Sequence, residues 1–143
     1  MTNPPRIVLD TNVLVAAIRS QGPANRLVKA CLTGQFAPQI GQALFMEYED
    51  VMEREAPFRG GGLNRAEREA VFDALLLVSG WVRVYFSWRP NVPDEGDNHL
   101  VELAVAAQAK YLISHNTRDL KRMELRFPQL SILTPSQLLE KSS

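Results

Sequence analysis

A few of this chain's carboxylates fall where acids can do chemistry together. Asp10 ends an apolar, largely β-branched run, Ile7, Val8 and Leu9. A continuous apolar run bounded by polar residues fits a strand buried on both faces, as in a parallel α/β sheet. A carboxylate at the C-terminal end of such a strand points into the crevice where open α/β sheets place their sites. Asp119 follows a second such run, Tyr111 to Ser114, by a short loop. Asp94 and Asp97 precede an almost wholly apolar helical stretch, and Glu47 lies in the first half of another helical stretch. In a parallel sheet the strand ends and the following helix starts share one edge, so Asp10 and Asp119 belong to the same edge.

Carboxylates gathered in one crevice repel each other, which costs stability unless they bind cations or protonate. Hard oxygen ligands suit Mg²⁺ or Mn²⁺. Such an ion lowers the pKa of a bound water and neutralises charge on a phosphodiester, which is what metal-assisted hydrolysis requires. Each acid also has a plainer reading. Asp97 or Asp94 alone serves equally well as a helix cap. Glu47 reads as one of several solvated acids on a helix flank, and Asp119 as a loop or cap acid. Asp10 has the strongest case, because an unpaired acid at a buried strand's end is costly without purpose. Residue types and spacing leave metal-assisted hydrolysis as the best of several options.

The elements that must position these acids follow from periodicity. Residues 6 to 10 are the first strand; Thr11 and Asn12 turn the chain, and Val13 to Ile18 continue into a short helix. Ala24 to Leu32 has helical spacing, with Gly34 as its stop. Phe36 to Ile40 is a weak second strand interrupted by Pro38. Ala43 to Glu53 is a helix, and Pro57 to Asn64, with three consecutive glycines, reads as the most flexible surface loop. Arg65 to Val78 is an amphipathic helix, Trp81 to Trp88 a strand, and Arg89 to Asp97 a loop. Leu100 to Ala109 is a buried helix, Tyr111 to Ser114 a buried strand, Leu130 to Leu133 a last strand, and Pro135 to Lys141 a terminal helix. Strands alternating with helices imply βαβ units, hence an α/β fold with a parallel sheet and helices on both faces.

Composition narrows the class. A length of 143 residues suits a single domain spanning 1–143. Apolar residues make up 45%, which excludes a disordered chain. No apolar run is long enough to cross a bilayer, and the start of the chain lacks a signal peptide's apolar core. The lone Cys31 cannot form an internal disulfide, which agrees with a reducing cytoplasm. Lys plus Arg number 16, as do Asp plus Glu, so polyanion binding needs local basic patches or metal ions.

Four blocks, IVLDTNVLVAA, EYEDVM, DEGDNHLVELA and YLISHNTRDL, occur in the order and spacing of the PIN-domain family. The chain resembles a bacterial PIN-domain protein of the toxin group related to VapC-like toxins, over about residues 6 to 135. The resemblance implies a three-layer α/β/α fold with a central parallel sheet and Mg²⁺- or Mn²⁺-dependent cleavage of RNA. It also implies a cytoplasmic protein, a homodimer and an antitoxin partner. By the family's pattern the metal-binding and catalytic acids are Asp10, Glu47 and Asp97, with Asp94 an accessory. The fourth block often carries an aspartate where this chain has Asn116; either Asp119 serves instead, or Asn116 binds the ion through water. Thr11 and Asn12 orient Asp10, and Ser114 keeps a hydroxyl near the site. These three, with Asn116 and Arg118, are the residues expected to contact substrate. His99 and His115 read as ordinary exposed loop histidines.

Arg118, Arg122 and Arg126 fall at helical spacing beside Lys121, and Arg19 and Arg26 flank the turn after the first block. Each reads singly as a solvated charge; together they form a path for a phosphate backbone. Two other functions compete. One is a non-catalytic RNA- or protein-binding module, suggested by Asn116. The other is an aspartyl-phosphate enzyme, disfavoured because Asn12 stands where such enzymes have a second aspartate.

Overall fold

The structure, a computed structural model, describes residues 3–84 and 98–142. Five parallel strands form one sheet in the order β3-β2-β1-β4-β5. The central strand β1 (Arg6–Leu9) lies between β2 (Ala37–Ile40) and β4 (Tyr111–Ile113); β3 (Gly80–Trp81) and β5 (Ser131–Leu133) form the edges. This position explains the apolar run of β1, whose Ile7, Val8 and Leu9 are wholly buried. Helices flank the sheet in the expected three-layer arrangement. They are α1 (Thr11–Arg19), α2 (Pro23–Leu32), α3 (Gln42–Met52), α4 (Arg65–Val78), α5 (Asn98–Ala106) and α6 (Pro135–Ser142). Helix α5 packs against β1, β2 and β4, whereas α1 and α2 pack on one another and α6 closes on α2 and β5. Among the described residues no helix is long and apolar enough to cross a membrane.

Several boundaries differ from the sequence reading for definite reasons. Thr11 and Asn12 form no separate turn: α1 starts at Thr11, directly after the strand. Asp10 keeps extended backbone angles, and its carbonyl accepts from the Val13 N–H at 2.9 Å, so the first helical turn closes at once. Within the described part of the expected Trp81 to Trp88, only Gly80–Trp81 is strand. Its partner β2 ends at Ile40 because Gly41 begins the turn into α3, and among the described residues no ladder follows the Val82 N–H to Ile40 carbonyl bond at 2.8 Å. A Cβ at Gly41 would press on Leu103 and the Val82 carbonyl, each at 3.2 Å, so this tight corner favours glycine. Residues 85–88 of the expected strand and the whole loop 89–97 lie outside the described residues.

Helix α5 ends three residues early, where Gln108 takes a left-handed φ of 54°. Pro38 sits inside β2, yet the β3 ladder begins only at Gln39, so its missing N–H falls before that pairing. Helix α4 matches its expected bounds and carries a capping box: Asn64 Oδ1 accepts from the Glu67 N–H at 2.8 Å, and Glu67 Oε1 from the Asn64 N–H at 2.9 Å. The glycine-rich loop is anchored at its start. Phe58 is buried beneath the Arg68 guanidinium, 4.7 Å from the ring centre, and Arg68 reaches Glu55 at 2.8 Å.

The candidate acidic site

Sheet register builds the site. Leu9 pairs with Ile113 between β1 and β4, so the next residues, Asp10 and Ser114, emerge side by side at the strand ends. The Asp10 N–H donates to the Ile113 carbonyl at 2.8 Å and extends the pairing by one step. Asp10 occupies the position before the first turn of α1, but its carboxylate makes no cap hydrogen bond. It turns instead to the neighbouring strand end: the wholly buried Ser114 Oγ donates to Asp10 Oδ2 at 2.7 Å.

A short network fixes this pair. Asn12 Nδ2 donates to Asp10 Oδ2 at 3.3 Å and to Ser114 Oγ at 3.4 Å. The backbone N–H of His115 donates to Asn12 Oδ1 at 3.2 Å, and that of Asn116 to Ser114 Oγ at 2.9 Å. Asn12 therefore ties the start of α1 to the loop after β4, and Ser114 has its proton committed to Asp10. Behind the strand end, the buried Tyr48 hydroxyl donates to the Leu9 carbonyl at 2.5 Å.

The second acid arrives from α3. Glu47 stands one residue before Tyr48, and the Tyr48 anchor brings that turn of α3 against the end of β1. Glu47 Oε1 accepts from the Thr11 hydroxyl, and His99 Nε2 lies 2.8 Å from Glu47 Oε2. A carboxylate can only accept, so Nε2 carries the hydrogen in this contact.

The electrostatics separate the two acids. Burial pushes the Asp10 carboxyl above its ordinary value, against the pull of the Ser114 hydroxyl and the Thr11 N–H; nearby Glu47 raises it further. The His99 hydrogen bond, with help from Thr11, holds Glu47 below its ordinary value and outweighs partial burial. Asp10 is thus a carboxylate whose charge is poorly compensated by the protein, beside an acid held firmly ionised.

Hydrogen bonds link Asp10 with Asn12 and Ser114, and Glu47 with Thr11, the residue next to Asp10. Asp97 and its accessory Asp94 lie outside the described residues. Asn116 is exposed and joins the network through its backbone. Asp119 is half-buried in the following turn and, among the described residues, makes no hydrogen bond or ion pair. Among the described residues no three acids, histidines or cysteines are grouped to hold an ion.

His99 was misread: it lies on the first turn of α5 with its side chain 22% exposed, in contact with Glu47. The basic series also changes. Arg118 lies in a turn, Arg122 in a 3₁₀ helix (Lys121–Leu125) and Arg126 just after it, so an α-helical spacing does not align them. All three are exposed and, among the described residues, unpaired.

A parallel α/β fold with two converging carboxylates at the strand ends is the class that fold and site define. The PIN domain family matches residues 6–118. The chain belongs to the PIN domain family. No curated protein matches it by direct sequence comparison. Among solved structures it is similar to the crystal structure of VapBC2 from Rickettsia felis bound to a DNA fragment from their promoter. The TM-score is 0.57 at 13% identity, covering 89% of this chain and 96% of that one, a likeness of fold.

Proposed function

We propose that the chain is a metal-dependent endoribonuclease that hydrolyses RNA phosphodiesters at the Asp10–Glu47 site, acting as a single PIN-like domain. One observation carries this reading: Asp10's carboxylate, buried and unused for helix capping, converges with Glu47 at the strand ends. The donor chemistry fits Mg²⁺ or Mn²⁺, because the groups at the site are carboxylate, hydroxyl and amide oxygens, and a cation would compensate the charge that burial disfavours on Asp10. Asp10 and Glu47 would hold the ion, with Asp97 as the third acid. When bound, the ion activates a water and neutralises charge on the phosphate.

The chain's own residues do the positioning. Ser114 and Asn12 aim Asp10, and Thr11 and His99 hold Glu47. Arg118, exposed on the loop after the site, supplies a cation for the RNA backbone. Asp119, or Asn116 through water, would supply the fourth ligand. The likeness in fold to VapBC2 supports a toxin with a protein antitoxin as partner. A homodimer in the cytoplasm completes the proposal.

The test is cleavage of a labelled RNA by the purified chain with Mg²⁺ or Mn²⁺. Asp10→Asn and Glu47→Gln should each lower the rate by about a hundredfold or more. Undiminished cleavage in both variants would refute the site. A second reading, a catalytically weak RNA- or antitoxin-binding PIN module, is favoured by Asn116 at the usual fourth acid. RNA or antitoxin affinity without divalent-metal binding would select it.

A further inference from the structure

Glu47 sits on a half-exposed flank of α3, where a glutamate has three freely rotating side-chain bonds and no intrinsic reason to keep one orientation. Yet both of its carboxylate oxygens are engaged, and by different elements. The first residue of α1 donates to Oε1, and His99, on the first turn of α5, donates to Oε2 at 2.8 Å. Thr11 alone leaves the carboxylate free to swing about its single bond. Two donors on two oxygens define the plane.

The two partners also differ in reach. Thr11 adjoins Asp10 and is buried, so its hydroxyl is fixed by the same strand end that fixes Asp10. His99 closes the opposite side, and α5 itself is anchored by the wholly buried Leu100 and Val101, which follow His99 directly. The imidazole is therefore carried on a packed helix and not on a loop. α3 and α5 touch, so the helix that carries His99 packs against the one that carries Glu47.

We infer that His99 is a positioning residue of the acidic site, fixing the plane of the Glu47 carboxylate beside Thr11, the chain neighbour of Asp10. The role is one of hydrogen-bond geometry on Glu47. It rests on the ion site proposed above only for its consequence in metal affinity. Partners that orient a ligand in this way are typically worth about ten- to a hundredfold in metal affinity.

Two measurements on the full chain test this. The first needs no ion: in crystals of metal-free His99→Ala, the Glu47 carboxylate plane should turn about its bond to Thr11, whereas in His99→Gln, whose amide N–H can replace the ring N–H, it should stay. A Glu47 carboxylate unmoved in His99→Ala overturns the inference. The second is Mn²⁺ titration by calorimetry. His99→Ala should bind about tenfold more weakly than the native chain, with His99→Gln recovering most of the loss. Equal affinity in the native chain and His99→Ala, or equal impairment of both variants, overturns it as well. A native chain that binds no Mn²⁺ removes the metal reading, while the crystal comparison still decides the position of Glu47.

Discussion

Ser114 Oγ, wholly buried at the end of β4, donates to Asp10 Oδ2 at the end of β1 across 2.7 Å. The two residues are 104 positions apart and meet because the β1–β4 register sets Leu9 against Ile113. This bond is the main protein contact lowering the cost of charge on Asp10. Replacing Ser114 by Ala should destabilise the metal-free protein at neutral pH by about 1.5–3 kcal/mol, the range for hydrogen bonds to charged groups. Urea unfolding measures this, and an unchanged midpoint would show that Asp10 does not depend on the hydroxyl.

Asp10 also predicts a pH dependence. Burial raises its carboxyl above the ordinary 3.8, so the folded state binds that proton more tightly than the unfolded chain. The stability from the protonated form is complete below the unfolded value and is lost as pH rises through the folded one. The stability of Asp10→Asn relative to the native chain should therefore increase over that rise, because an amide does not titrate. Unfolding curves in a chelating buffer across the acid range test the sign. A difference that stays constant with pH would contradict it.

Tyr48 anchors the strand end that carries Asp10. Its hydroxyl donates to the Leu9 carbonyl at 2.5 Å in a buried setting. Tyr48→Phe keeps the ring, which meets Phe72 edge-on at 6.1 Å, and removes only the donor. The expected loss is about 1–2 kcal/mol of stability. Cleavage should fall far less than in Glu47→Gln, because the carboxylates remain. A larger kinetic than structural effect would assign Tyr48 a direct part in the chemistry.

Much of the frame was legible in the sequence. The run Ile7 to Leu9 marks a central strand because burial on both faces demands unbroken apolar residues. Arg65 to Val78 was legible as a helix because its period and its stop lie within one segment. What escaped depends on distant partners. The described part of β3 stops where β2 ends, which its own aromatic and β-branched residues do not reveal. The His99–Glu47 contact joins residues 52 positions apart on two helices, and no local pattern announces it. Asp10 read as an acid with a purpose, but that its carboxylate accepts from Ser114 follows only from strand register.

The exposed arginines after β4 bear on substrate. Arg118 is unpaired among the described residues and follows the Ser114–Asn116 loop by two positions. Arg118→Ala should weaken RNA binding equally across sequences and flatten the salt dependence, by a slope of about 0.7 on single strands for one lost phosphate contact. Filter binding over a salt series gives that slope. A loss confined to one RNA sequence would point to base recognition.

The most direct measurement of the central claim is a Mn²⁺-soaked crystal examined by anomalous scattering. The expected result is a peak bound by carboxylate oxygens of Asp10, Glu47 and Asp97, with oxygens at about 2.1 Å, the distance hard octahedral ions of this class prefer. Soaked crystals with no peak between Asp10 and Glu47, or with the ion held at Asp119 and away from Asp10, would contradict it.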